Sequence, residues 1–230
     1  SKGIENIDNT ELDSENNERS VDSVSLSTKH SLASNTHGST SVETLCHLTL
    51  LLNYTWIINQ IKDVNIIPLD LRTDIDELRS KELSTFTEVF TNTHKIGELM
   101  KLVDGMQDLV NSKTDPSTTN SYSRDNIQKI IMRFSGSSLK STISELSTDL
   151  KMKLHGRCYD TEKLKTDKST LVTGNQVEKE VYNSCLNSFS VLYGSVFSSF
   201  NHMVKQYYDG VSTSVDKIII NHNFNKLLMD

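Results

Sequence analysis

Apolar residues recur at spacings of three and four along most of the chain after residue 40, which predicts helices rather than strands. The most apolar stretch runs from Val42 to Ile61 and contains the only tryptophan, Trp56. Thr40 and Glu43 form a T-x-x-E capping box at its start. Because apolar residues surround this predicted helix on nearly every side, we expect it to be buried at the centre of the fold.

A longer helix is predicted from Thr85 to Val110, and it carries a regular apolar repeat. Val89, Ile96, Val103 and Val110 recur every seven residues. A heptad seam of this kind joins two chains in a coiled coil, or it packs inside a single bundle. The sequence leaves both alternatives open.

The remaining predicted helices are separated by glycine, proline or clusters of polar residues. Their approximate bounds are 71–79, 123–134, 139–155, 176–209 and 213–228. Gly194 and the serines around it favour a break in the longest of them. Together these patterns predict an all-α fold, an irregular multi-helix bundle of two or three helical subdomains.

Residues 1–38 differ in composition from the rest of the chain. They are rich in Ser and Asn, and they carry seven acidic residues against three basic ones. Such a segment buries too little apolar surface to offset its ordering entropy, so we predict a disordered acidic arm. Polar segments divide the remainder into a helical subdomain at 39–112, a helical hairpin at 123–156, and an irregular segment with long C-terminal helices at 157–230.

The charge balance limits the classes of partner. The net charge is −6, of which the arm holds −4, so the remaining residues carry about −2. We therefore expect no nucleic acid among the partners, because a nucleic-acid-binding domain shows a basic patch or stripe. The chain has two prolines, Pro68 and Pro116, and both lie between predicted helices, as an all-helical fold requires.

No group of residues in the sequence suggests catalysis. The seven histidines include no pair at the i, i+4 spacing of a helical metal site, and no glycine-rich phosphate loop occurs. Nothing places a nucleophile, a base and an orienting group together. We therefore predict that the protein is not an enzyme and has no metal site and no cofactor.

The three cysteines allow three pairings, of which we predict a disulfide between Cys158 and Cys185. Cys46 lies in the most apolar helix, where a free thiol behaves as a small apolar side chain. Cys158 lies in a segment with few apolar residues, and a bridge to Cys185 would fasten that segment to the next helix. Such a bridge suits an oxidising compartment.

A charged segment precedes the longest helix. Residues 149–168 contain six basic and four acidic residues, a local positive excess in an acidic protein. This segment is either a surface that recognises anionic groups or a solvated face with local salt bridges.

The chain resembles the glycosylphosphatidylinositol-anchored merozoite surface antigens of piroplasm (babesial) parasites. The resemblance rests on the acidic N-terminal arm, the proline-poor helical core and the segment LCHLTLLLNYTWIINQIKDVNIIPLDLRTDIDELR at 45–79. It implies a cell-adhesion protein and surface antigen on the extracellular face of the cell membrane. The lipid anchor would attach through a segment absent from this chain.

The implied partners are a host erythrocyte surface protein and host antibodies. Loops on a rigid scaffold often carry recognition. The expected receptor contact is therefore the irregular, charged region between Gly156 and Asn175, with Lys163, Lys165 and Lys168 as candidate residues. The alternative function is an intracellular all-helical protein-interaction module that uses the heptad face at 89–110.

Overall fold

The computed structural model describes residues 36–62, 64, 66–158, 168–213 and 215–229, without the side chains of 36–41, 156–158 and 168–175. These ranges contain seven α-helices and no β-strand, which confirms the predicted all-α bundle. The helices are α1 (Thr36–Ile61), α2 (Leu69–Asn92), α3 (Lys95–Asn111), α4 (Arg124–Arg133), α5 (Gly136–Cys158), α6 (Lys168–Tyr207) and α7 (Lys217–Met229). Two short 3-10 turns, Pro116–Thr118 and Asn120–Tyr122, connect α3 to α4.

The helix α6 is the centre of the fold, and it packs against α2, α3, α5 and α7. It continues unbroken through Gly194, so the predicted break there is wrong. Gly194 is buried, and a Cβ atom at this position would lie 3.4 Å from the Lys217 side chain at the start of α7. That distance is an ordinary van der Waals contact, so the glycine neither interrupts α6 nor is required by its packing against α7.

The helix α1 lies at one side of the bundle, so the prediction that it is the buried centre is wrong. Leu48 and Leu51 are fully buried, whereas Trp56 remains 51% exposed. The buried positions Thr44, Leu48, Leu51 and Thr55 form one stripe at spacings of four, three and four. Several apolar residues on the other sides of α1 are exposed, because the neighbouring helices cover this helix mainly along that stripe.

The predicted helix from Thr85 to Val110 is two helices in the structure. The chain turns at Thr93 and His94, and α2 begins earlier than expected, at Leu69. His94 has extended backbone angles, with φ −108° and ψ 169°. At Gly97, a Cβ atom would lie 2.6 Å from the Asn92 carbonyl oxygen, so the tight turn requires a glycine there.

The heptad positions face the interior of the bundle. Ile96, Leu99, Val103 and Met106 are all buried in the core, and Val89 is half-buried. The seam therefore packs within one chain, which is one of the two alternatives that the repeat left open. It offers no exposed apolar face to a second chain.

Aromatic rings fill the contacts of α6 with α2 and α7. Phe90 stacks on Phe86 and on Phe189, with centroid distances of 5.2 and 5.4 Å. Tyr193 meets Phe224 edge-to-face at 5.4 Å. Aromatic pairs with these geometries stabilise a core beyond the area that they bury.

Two predictions from the sequence fall mainly or partly on residues that the structure does not describe. The predicted disordered arm covers residues 1–38, of which 1–35 are not described. The helix α1 begins at Thr36, inside the predicted arm. In the charged segment, residues 159–167 are not described either. The predicted subdomain boundaries stay predictions.

Candidate interaction surface

A polar network joins α1, α2 and α6. The Arg79 guanidinium donates from Nε to Thr55 Oγ1 at 3.2 Å and from Nη2 to Ser184 Oγ at 3.1 Å. Farther along α2, the Thr87 hydroxyl donates to Ser188 Oγ at 2.9 Å. These contacts satisfy polar groups that would be costly to bury unpaired, and they fix the position of α1 against α2.

A second polar contact fastens the C-terminal half of α1 to α6. Asn59 Nδ2 donates to Glu180 Oε2 at 2.7 Å, and Gln176 Nε2 donates to Oε1 at 2.9 Å. The hydrogen bond from Asn59, and then that from Gln176, lowers the pKa of Glu180 below its ordinary value. Both hydrogen bonds favour the charged carboxylate, so Glu180 acts here as an anionic acceptor.

The solvent face of α2 combines exposed carboxylates with exposed leucines. Asp70, Asp74 and Glu77 lie in one row along the helix, and we name them the acidic row. Leu71 and Leu78, two turns apart, lie beside this row and are 49% and 45% exposed; we name them the leucine stripe. A shallow depression between these features is lined by Asp74, Glu77, Leu78 and Lys81.

The turn between α1 and α2 continues this surface with apolar residues. Ile66 and Leu69 are 92% and 76% exposed, and Val64 is also exposed. Arg72 holds the turn in place, because its guanidinium donates to the carbonyl oxygens of Lys62 and Val64. We name Val64, Ile66 and Leu69 the apolar turn. These three exposed side chains make the turn a candidate contact surface.

A depression between α3, α4 and α5 contains cations, but each cation already has a partner. Lys95 Nζ lies 3.1 Å from Glu145 Oε2, and Arg133 Nη1 lies 3.3 Å from Glu98 Oε2. The hydrogen bond from Ser141, and then that from Lys95, lowers the pKa of Glu145. This depression therefore offers little uncompensated positive charge to an anionic ligand.

The described residues hold no group of three or more His, Cys, Asp or Glu side chains that suits a metal ion. Within the same ranges, none of the helices combines the length and the apolar character that a bilayer span requires.

The structure does not describe the side chains of the lysines that the sequence analysis named as candidate contact residues. Lys163 and Lys165 lie outside the described residues. Lys168 is the first residue of α6, and its side chain is not described. They are not brought together with any other candidate residue. The acidic row and the apolar turn were missed, although carboxylates at 70, 74 and 77 follow a helical spacing that the sequence displays.

The cysteines divide between surface and core. Cys46 is exposed, contrary to its expected burial in an apolar helix, and it is a free thiol. Cys185 is a fully buried thiol on α6, and burial raises its pKa. The side chain of Cys158 lies outside the described residues, so the pairing of Cys158 with Cys185 stays a prediction.

Comparison with models of known protein families gives a match. A family model described as exocyst complex component Sec3, C-terminal, matches residues 14–210, which is most of the chain. Comparison with curated proteins and with solved structures found no match.

This match corrects the resemblance to merozoite surface antigens, because the matched family is an intracellular trafficking family. The predictions of cell adhesion, a surface antigen and a glycosylphosphatidylinositol anchor are wrong. The predicted partners, a host erythrocyte surface protein, host antibodies and a membrane reached through a lipid anchor, are wrong as well. So is the location on the extracellular face of the cell membrane.

The error has a physical reason. An acidic Ser- and Asn-rich arm and proline-poor apolar helices are compositional features. Unrelated proteins share them, because helices exclude proline from their interior and unfolded segments are poor in apolar residues. The family is non-catalytic, which supports the prediction that the protein is not an enzyme. The match supports the alternative function, an all-helical interaction module of an intracellular protein. The chain belongs to the Sec3 C-terminal family of exocyst complex components.

Proposed function

We propose that this chain is a non-catalytic helical module that binds other components of an exocyst complex and so takes part in tethering vesicles. The family match over residues 14–210 carries this proposal. A module of this kind needs a rigid frame and an exposed surface that neighbouring components recognise.

The frame is supplied by α6 and the helices around it. Phe189, Tyr193 and Phe200 are buried on α6, and they anchor the packing of α2, α3, α5 and α7. Close-packed interiors of this kind resist deformation, so surface residues keep fixed relative positions. Such a frame suits a protein that holds partners at set distances.

The contact surface differs from the one expected in the sequence. The heptad face at 89–110 is buried within the bundle, so it is not accessible to a partner without unfolding. The acidic row, the leucine stripe and the apolar turn are exposed. They support a contact surface on the α1–α2 side of the bundle.

The test is affinity purification of the tagged protein from its own cells, followed by quantitative mass spectrometry. We expect other exocyst components to be enriched over a purification with the unfolded variant Phe189→Asp, which buries a charge in the core. Recovery of the protein with no exocyst component, or with equal amounts in both purifications, would contradict the proposal.

A further inference from the structure

The solvent face of α2 places apolar and anionic groups side by side. Each residue of an α-helix is rotated by about 100° from the one before it, so Leu71 and Leu78 share one line. Asp74 and Glu77 lie beside that line on its solvent side, while Arg79 lies on the opposite side and contacts α1 and α6. The leucine stripe and the acidic row therefore run side by side along α2.

The leucine stripe has the spacing that an amphipathic helix recognises. Leu71 and Leu78 are separated by two turns of α2, and both side chains are exposed. Helices that bind in apolar grooves present anchors at i, i+3, i+4 and i+7. A partner helix laid along α2 would cover both leucines with such anchors.

The charge of the acidic row indicates the charge that a partner should carry at this surface. In the part of the chain that the structure describes, Asp70, Asp74 and Glu77 form no ion pair, whereas Asp76 pairs with Arg79 at 3.6 Å. Lys81 continues this row, so the row holds three carboxylates against one ammonium group. Its net negative charge favours a cationic partner over an anionic one. An anionic lipid surface is therefore disfavoured, and so is the N-terminal arm at 1–38, whose net charge is −4.

We propose that the leucine stripe and the acidic row of α2 together dock an amphipathic helix of a protein partner, with Lys or Arg beside its apolar stripe. The inference rests on the proposed function, because it assigns this surface to a component of the same complex.

A designed peptide is a direct probe of this surface. It has about 18 residues, enough to form a helix in water, with leucines at helical spacing and lysines along one flank. A second peptide carries glutamates in place of the lysines, and a third carries glutamines in place of the leucines. We expect the first to bind the full chain at least about tenfold more tightly than either control, by fluorescence anisotropy.

Matched variants separate the acidic row from the overall charge. Asp74→Lys with Glu77→Lys should weaken binding of the lysine peptide by at least about tenfold. The control, Asp104→Lys with Asp108→Lys, changes the net charge equally at two exposed positions of α3 and should leave binding nearly unchanged. Leu71→Ser with Leu78→Ser removes exposed side chains, so it should weaken binding while the protein stays folded.

Three results would overturn the inference. The first is equal loss of binding in both charge variants, which indicates nonspecific attraction. The second is equal binding of the lysine and glutamate peptides. The third is binding to anionic lipid vesicles that needs Leu71 and Leu78, which would make the surface a membrane contact.

The proposed function is tested separately. If exocyst components co-purify with the protein while the peptide and the variants fail as described, only the docking inference is wrong. If no exocyst component co-purifies, the proposed function itself fails, whatever the peptide does.

Discussion

Two buried tyrosines illustrate how the surroundings of a single hydroxyl set its energetic effect. The Tyr208 hydroxyl donates to the Tyr122 carbonyl oxygen at 2.6 Å, and burial raises the pKa of Tyr208 to about 12. Tyr193 is fully buried, burial also raises its pKa, and no described residue accepts a hydrogen bond from its hydroxyl. The same change to phenylalanine should therefore have opposite effects at the two positions.

Tyr208→Phe should lower the free energy of unfolding by about 1 kcal/mol, because it leaves the Tyr122 carbonyl oxygen without this donor. For a chain of this length the melting temperature should fall by about 2–4 °C. Thermal unfolding followed by circular dichroism measures the change. An unchanged melting temperature would show that the hydrogen bond contributes no net stability.

Tyr193→Phe should raise the free energy of unfolding by about 1 kcal/mol, because it removes a buried polar group that has no partner in the described structure. The aromatic contact with Phe224 is retained in the variant. The measurement is the same thermal unfolding, beside Tyr208→Phe as the matched control. A clear loss of stability would show that the Tyr193 hydroxyl makes a stabilising hydrogen bond.

At the scale of helices, the sequence predicted where helices occur better than how they pack. Local spacing and capping signals identified helical segments, and Gly136 adopts a positive φ of 50° at the predicted helix boundary. The turn at His94 depends on a close approach between Asn92 and Gly97, which no periodic pattern records. The central role of α6 depends on which neighbours cover it, and the apolar content of α1 alone indicated the wrong helix.

Gly97→Ala tests the turn between α2 and α3. Alanine is the better helix former by about 1 kcal/mol, so propensity alone would stabilise α3. We expect the opposite, a loss of about 1–3 kcal/mol, because the new Cβ would approach the backbone of Asn92 too closely. Chemical unfolding provides the measurement, and the exposed Ser84→Ala in α2 is the propensity control. A stabilised variant would show that the turn relaxes freely.

The contact between α1 and α6 should depend on pH. The pKa of Glu180 is lowered in the folded protein from its ordinary value of 4.5, chiefly by Asn59. Near and below pH 4.5 the unfolded chain therefore binds more protons at Glu180 than the folded protein does. The stability that Glu180 contributes above pH 4.5 is lost as the pH falls through its pKa in the folded protein.

Asn59→Ala removes the largest cause of this shift. The difference in free energy of unfolding between the wild-type protein and the variant should be largest near neutral pH and should shrink below pH 4.5. Urea unfolding over a series of pH values measures this difference. A difference that stays constant across the series would mean that the hydrogen bond does not favour the ionised carboxylate.

At the scale of the whole molecule, fold class and function were predictable to different extents. Helical periodicity is a physical requirement of an all-α fold, so the class followed from the sequence. Function was not encoded in a short motif, and a resemblance in composition led to the wrong family. The surface beside Leu71 also escaped notice, because its exposure is set by helices distant in sequence.

The central claim is that this chain binds other exocyst components directly through a folded helical module. The most direct test uses the exocyst components that co-purify with the protein from cells, each of them then purified separately. Each component is mixed with the purified 230-residue chain, and complexes are detected by analytical ultracentrifugation. We expect a complex with at least one component, and we expect this complex to be lost in the unfolded variant Phe189→Asp. Sedimentation of every component at its own separate rate would contradict the claim.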